Sequence, residues 1–348
     1  MKQHVLKYTG IRGLACLFVV FSHAANIGFV LVDGFSVAGH GSGQIGVRMF
    51  FILSAFLLTY QFERAQLLTP YNLFVYLSRR ILRIYPAFIV CVVLVYMLDS
   101  HVMFFKVDDF SVVTNHLLLF QGKKHLWTVA VEFKYYLFIP FIGCMLRRKS
   151  RNIVIGVLLL LLALKMVAIA TLWDAGLSRL SLLKYVEYFL FGSILAGCMP
   201  QREYQLAVPY KNALVALGTV CLVLCVPRIS NALFGVDFIQ KNSVVMPLLI
   251  CAFMWSAMSF TTVFDRIFSN GVFVYFGKIS FSMYLWHFPI LLLLRENPPC
   301  DSSHANAVLF YVLTFMVSAA SYYLVERSFM RLYPNYRYVQ ADCAPALS

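Results

Sequence analysis

Arg12 and His23 stand eleven positions apart in an otherwise apolar run, G-I-R-G-L-A-C-L-F-V-V-F-S-H from Gly10 to His23. Eleven helical steps make three turns plus about 20°, so the two side chains share one face, roughly 16 Å apart along the axis. Within a bilayer such groups are costly unless they face protein or water, which marks them as candidates for chemistry. An imidazole titrates near neutral pH and can take a proton from a hydroxyl. A guanidinium can hold a phosphate or pair with a carboxylate.

Further ionisable groups fall in other apolar runs. G-Q-I-G-V-R-M-F-F-I-L-S-A-F (43–56) buries Arg48, which requires a partner, and Ser54 and Ala55, small enough for close helix packing. R-R-I-L-R-I-Y-P (79–86) puts Arg80 and Arg83 three apart and Arg79 and Arg83 four apart, on one helix face, ahead of Pro86. That cluster reads either as a positive anchor at the membrane boundary or as a phosphate clamp. H-L-W-T-V-A-V-E-F-K-Y-Y-L (125–137) carries Glu132 about two turns into the membrane. Lys134, two residues on, points elsewhere, so Glu132 requires a partner such as Arg12, Arg48 or His23. Its role is either a structural ion pair or catalysis.

In F-G-K-I-S-F-S-M-Y-L-W-H-F-P (276–289), Ser280, Tyr284 and His287 keep an i, i+4, i+7 spacing and form one polar face directed into the bundle. Trp286 and Phe288 then face lipid. His287 is either a satisfied core histidine or part of a reactive cavity. Glu326 and Arg327, in S-Y-Y-L-V-E-R-S (321–328), read as interface anchors, and Lys165 has no evident partner beyond snorkelling to the surface.

The elements that must position these groups are transmembrane helices. The chain has 348 residues, 61% hydrophobic and only 13% charged, about half the charged fraction of a soluble domain. Apolar runs near the ~20-residue spanning length occur at roughly 11–32, 43–61, 80–98, 126–146, 152–173, 181–199, 210–228, 243–263, 273–294 and 304–326. The expected fold is an all-α integral membrane protein of about ten transmembrane helices in one bundle. A membrane domain at 1–330 is succeeded by a tail at 331–348.

The net charge of +14 would suggest nucleic acid in a soluble protein. Here the basic residues lie in short connections between apolar runs, so they report topology and no nucleic-acid partner is expected. Counting them by side gives sixteen against eight, which places both termini, and the tail, in the cytoplasm. Lys2 and Lys7 belong to that cytoplasmic set. The first run is too long, and too charged at Arg12 and His23, for a cleaved signal peptide. Of nine cysteines, only Cys300 and Cys343 lie clearly outside the runs, on opposite sides, and no zinc-ligand spacing occurs, so no metal site is expected.

Six of these pieces together resemble the membrane-bound acyltransferase family 3, from Tyr8 to Arg327. They are R-G-L-A with Arg12 and His23, Gly46–Phe56, Arg79–Pro86, Leu126–Leu137, Ile279–His287 and Leu324–Arg327. Several positions depart from the family pattern: Thr9 replaces an aspartate, Arg48 an acidic or polar residue, Ala55 a glycine, and Ser328 a proline. The resemblance implies a multi-pass enzyme of the bacterial inner membrane that moves an acyl group, most often acetyl, from cytoplasmic acetyl-CoA. The implied acceptor is a hydroxyl of a surface glycan or lipid-linked sugar, such as O-antigen or exopolysaccharide. It also implies that Arg12 and His23 are the signature catalytic element and that Arg80 and Arg83 serve the donor side. The chain ends at Ser348 without room for the SGNH-type domain that some members carry.

The expected catalytic set is thus His23, Arg12, Glu132 and His287, with Arg80, Arg83, Tyr284 and Ser280 along the donor's path. Acetyl-CoA is a substrate here, with no permanently bound cofactor, and membrane lipids surround the protein. A transporter or flippase for a glycolipid or small acid is the competing class, although no inverted repeat or matched pair of broken helices supports it.

Overall fold

The computed structural model describes residues 2–31, 41–64, 69–105, 109–148, 151–172, 180–199, 206–235, 245–260, 262 and 265–336. Among these residues the protein is all helical. The principal helices are α1 (Lys2–Ala25), α2 (Ser42–Arg64), α3 (Pro70–Met97), α4 (Ser111–Leu117), α5 (Trp127–Tyr136), α6 (Ile139–Arg148), α7 (Arg151–Leu172), α8 (Val186–Cys198), α9 (Val208–Leu224), α10 (Pro227–Phe234), α11 (Val245–Ser259), α12 (Gly271–Lys278), α13 (Ser280–Glu296) and α14 (Ser303–Ser321).

Among the described residues, five helical stretches are long and apolar enough to cross a bilayer, or up to seven if each of two bent pairs counts as one span. The bent pairs are α5 with α6, at 42°, and α9 with α10, at 90°. Three further apolar helices, within 152–165, 186–198 and 245–259, are shorter. This is the architecture of a multi-pass membrane protein.

α1 is the central element. It packs against α2 and α12 through glycines where the backbones nearly touch. A Cβ on Gly277 would lie 1.8 Å from the Thr9 carbonyl oxygen, and one on Gly13 would lie 2.2 Å from that of Phe273. Gly46 of α2 meets the Ala15 carbonyl in the same way, at 2.3 Å. Helices in lipid associate by such close packing because there is no hydrophobic gain between them. The consequence for the site is that Arg12, beside Gly13, is held against the start of α13.

α3 begins earlier than the apolar run at 80–98 suggests. Pro70 takes the first helical turn and the Thr69 hydroxyl accepts the Asn72 backbone N–H at 3.2 Å. Both are standard helix-start chemistry. Arg79, Arg80 and Arg83 therefore share one continuous helix of 28 residues, as their spacing predicts.

The connection between α3 and α5 folds back as a cap. Asp99 Oδ1 accepts the backbone N–H groups of Phe104 and Phe105, each at 2.7 Å. Val112, Val113 and His116 of α4 are buried, while Leu118 and Phe120 are exposed. Phe104 reaches down to His125 and Phe288, with ring centroids at 5.9 and 6.2 Å.

Two charged residues, Lys7 and Lys165, differ from the sequence expectation, and Arg48 finds the contacts it requires. Lys7 is 1% exposed and is not a loop anchor: it pairs with Asp265 at 2.8 Å and donates to the Phe260 carbonyl at 2.6 Å. Lys165 does have a partner, Glu187 of α8, at 2.6 Å. Arg48 is buried and lies over the Tyr188 ring, 5.1 Å from its centroid, with Nη1 2.8 Å from the Met246 sulfur. At the other end, residues 331–336 dock along α3. Arg79 donates to the Pro334 carbonyl at 2.9 Å and its guanidinium covers Tyr336 at 4.3 Å. The expected tail beyond Tyr336 lies outside the described residues.

Candidate active site

A cavity opens between α1, α2, α3, α5 and α13. Arg12, Arg83 and Glu132 line it together with Ser280, Tyr284 and Thr128. Five of the eight residues singled out from the sequence thus share one space. Arg80 does not line it; its Nε is buried one turn away without a hydrogen-bond partner. His23 and His287 lie beyond Tyr284.

Neither Arg12 nor Arg83 forms a salt bridge among the described residues. Arg83 Nη1 has only the Met330 sulfur, at 4.0 Å. Two guanidiniums that face one cavity without an ion pair form a site for an anion. Glu132 is not their ion-pair partner. Its Oε1 accepts the hydroxyls of Ser54 and Tyr136. Ser54 is therefore polar support for the site, whereas Ala55 does pack closely, against Gly192 of α8.

At the other end, Tyr284 bridges the cavity to a cluster of three histidines. Its hydroxyl donates to the His125 carbonyl at 2.6 Å and accepts from Thr128 at 2.8 Å. His23 Nδ1 lies 2.9 Å from His287 Nε2, and the rings stack at 5.0 Å. His287 Nδ1 faces two carbonyl oxygens, Tyr284 at 2.8 Å and Met283 at 3.1 Å. Carbonyls only accept, so His287 Nδ1 carries a proton. In the neutral ring, Nε2 is then a bare acceptor. His23 Nδ1 must donate to it, which leaves His23 Nε2 with a free lone pair. The hydrogen-bond chain fixes the tautomer in which His23 can act as a base, by the same logic through which an orienting group prepares a catalytic histidine.

His125 was not among the residues the sequence singled out. Its Nε2 donates to the Leu285 carbonyl at 3.1 Å, and its ring lies 5.0 Å from that of His287. Nδ1 is buried without a hydrogen-bond partner. A histidine at the junction of a loop and a helix carries no periodic signal of its own. Only the packing of α5 on α13 brings it to the cluster.

Packing also overturns three of the expected orientations. Phe288 does not face lipid: it meets His23 edge-on at 5.0 Å and stacks on His125 at 5.4 Å. Trp286 is likewise packed against the core, with its Nε1 buried. Glu326 is not an interface anchor. It is 1% exposed and accepts the Ser282 hydroxyl. It stands at the end of a π-helical turn, Tyr322–Glu326. The extra residue in such a turn rotates the rest of the helix by about 100° relative to a regular α-helix, which no local pattern discloses.

A membrane helical bundle with an arginine-lined cavity beside paired histidines is the framework of a group-transfer enzyme. A family model described as an acyltransferase domain matches residues 6–327. The chain belongs to this acyltransferase family. It is similar to the peptidoglycan O-acetyltransferase OatA of Listeria monocytogenes, 25% identical over 364 residues, covering 93% of this chain and 56% of the relative. It is also similar to the O-acetyltransferase OatA of Staphylococcus aureus, 25% identical over 291 residues, covering 73% of this chain and 47% of the relative. The chain thus spans about half the length of the curated relatives it matches. No solved structure matches it.

Proposed function

We propose that the protein is an O-acyltransferase that moves an acetyl group from cytoplasmic acetyl-CoA onto a hydroxyl of a cell-surface glycan or its lipid-linked precursor. The observation that carries this reading is a cavity lined by two guanidiniums without an ion pair and, beyond its Tyr284 wall, a hydrogen-bonded histidine pair in the tautomer that leaves His23 Nε2 bare. The peptidoglycan activity in the name of the Listeria relative supports a glycan acceptor. We read ten spans with both termini cytoplasmic in a bacterial inner membrane, from ten apolar runs that are each overlapped by helix and from the excess of basic residues on one side.

In this scheme the donor's phosphates lie at Arg12 and Arg83, with Arg80 adding positive potential from behind. The pantetheine arm passes Ser280 and Tyr284. His23 Nε2 takes the proton of the acceptor hydroxyl as its oxygen attacks the thioester carbon. The carbon–sulfur bond breaks, and the histidine's proton passes to the departing thiolate, so free coenzyme A and the acyl ester are the products. His287 holds His23 in the required tautomer. Glu132, fixed by Ser54 and Tyr136, adds a carboxylate to the cavity wall.

The test is acetyl transfer from labelled acetyl-CoA by purified protein in nanodiscs, with a glycan acceptor supplied. Wild-type protein releases coenzyme A in proportion to ester formed, and His23→Ala, folded to the same extent, does not. Full transfer by His23→Ala removes His23 from the reaction.

A further inference from the structure

Glu326 is a buried carboxylate with no part in the acyl-transfer scheme. Its Oε1 is held by Ser282, which in turn bonds Ser321 at 3.0 Å. Its Oε2 is buried with no hydrogen-bond partner. Ser282 lies in the first turn of α13, where backbone N–H groups are free of helical partners and favour negative charge. The carboxylate is therefore fixed from behind, with its other oxygen uncommitted. Its electrostatic partners are Arg83 and, more weakly, Arg12, the two guanidiniums of the cavity. The π turn that carries Glu326 packs on α3, the helix that carries Arg83. No salt bridge joins them among the described residues, so Glu326 acts on the arginines through space and leaves their hydrogen-bonding edges open to the cavity.

We propose that Glu326 is the resident counter-charge of the donor site, a positioning residue that weakens the hold of Arg83 and Arg12 on phosphate-bearing ligands so that the product can leave. This rests on the reading that coenzyme A phosphates bind these arginines. Two guanidiniums without an ion pair in a low-dielectric cavity, faced only by a Glu132 carboxylate held by Ser54 and Tyr136, would bind a multiply charged anion too tightly for turnover. A fixed negative charge behind the wall lowers that affinity for acetyl-CoA and coenzyme A alike. It also keeps the empty cavity from carrying an unbalanced positive charge.

The experiment measures binding of free coenzyme A, and KM and kcat for acetyl-CoA, in nanodisc-embedded wild-type protein, Glu326→Gln and Glu326→Asp. Gln keeps the shape and the Ser282 contact but removes the charge. Asp keeps the charge but shortens the side chain. The expected result is coenzyme A binding roughly 5- to 10-fold tighter in Glu326→Gln, the size of one partly screened charge. KM for acetyl-CoA falls with it, and kcat falls because release slows. Glu326→Asp stays near wild type. A purely structural role gives the opposite order, with Asp the more damaging change. Unchanged or weaker coenzyme A binding in folded Glu326→Gln overturns the proposal while leaving the donor site intact. Wild-type protein that binds no coenzyme A overturns both.

Discussion

His23 and His287 illustrate how much chemistry one hydrogen bond can settle. Either ring nitrogen of an isolated imidazole can carry the proton. Here the carbonyls of Met283 and Tyr284 claim the proton of His287 Nδ1, and the 2.9 Å contact passes that choice on to His23. Replacing His287 with leucine removes the acceptor for His23 Nδ1–H and frees both tautomers. On the proposed scheme kcat falls about 10²-fold or more, the usual weight of a positioned base, with KM for acetyl-CoA little changed because the arginines assigned to the donor are untouched. Steady-state kinetics check this, and an unaltered kcat would dissociate His287 from the base. His125 completes the cluster from the turn before α5, and its buried, bare Nδ1 marks it as the next residue to substitute in the same assay.

At the scale of elements, the cap between α3 and α5 is tuned to a neutral histidine. His116 Nδ1 donates to the Val112 carbonyl at 2.7 Å, and Nε2 accepts the Lys123 backbone N–H at 3.0 Å. Lys123 Nζ, close by, donates to the Phe105 carbonyl at 2.5 Å, and Phe105 packs edge-on against the His116 ring at 5.0 Å. Burial lowers the His116 pKa below its ordinary value of about 6.5, with a smaller push from the Lys123 ammonium and an opposing pull from the Val112 carbonyl. On acidification the unfolded cap, with the higher pKa, takes up the proton first. The stabilisation is complete above about pH 6.5 and is lost as pH falls from there through the lower folded value. Hydrogen exchange of amides 109–125 is therefore expected to quicken between about pH 7.5 and pH 5 after correction for intrinsic rates, and His116→Gln to abolish that difference. Equal protection at both pH values would refute a neutral-histidine latch. Because Phe104 of the same cap touches His125 and Phe288, opening it would loosen the roof over the histidines.

For the whole molecule, buried ion pairs tie peripheral helices to the core. Lys165 of α7 and Glu187 of α8 are 9% and 4% exposed. α7 otherwise shows mostly leucines to its surroundings, with Leu159, Leu160, Leu161 and Leu164 all exposed. Removing one partner of such a pair leaves a buried charge uncompensated, at a cost of about 3–5 kcal/mol, whereas replacing both with apolar groups is near neutral. Lys165→Met should lower the thermal midpoint in detergent markedly, and Lys165→Met combined with Glu187→Leu should restore most of it. A double variant no more stable than the single one would mean that the pair is not what holds α7.

The membrane class, the apolar runs and the charged residues of the cavity, Arg12, Arg83 and Glu132, were legible in the chain because they depend on local pattern. Arg12 and Ser280 each announce a polar face inside an apolar helix, as does Tyr284, and spacing alone predicts which way such a face turns. What local pattern does not contain is the partner. His23 and His287 are 264 positions apart, as are Tyr71 and its acceptor Asn335. Glu132 met hydroxyls instead of Arg12, Lys165 met Glu187, and Lys7 met Asp265, each by the way helices pack. Glu326 was turned inward by one extra residue in a helical turn, and Phe288 by the cluster it covers. Periodicity along a helix sets direction relative to its own axis. Only the packing of several axes, brought within reach by glycines such as Gly13 and Gly277, decides which charges face each other and which are left open for a ligand.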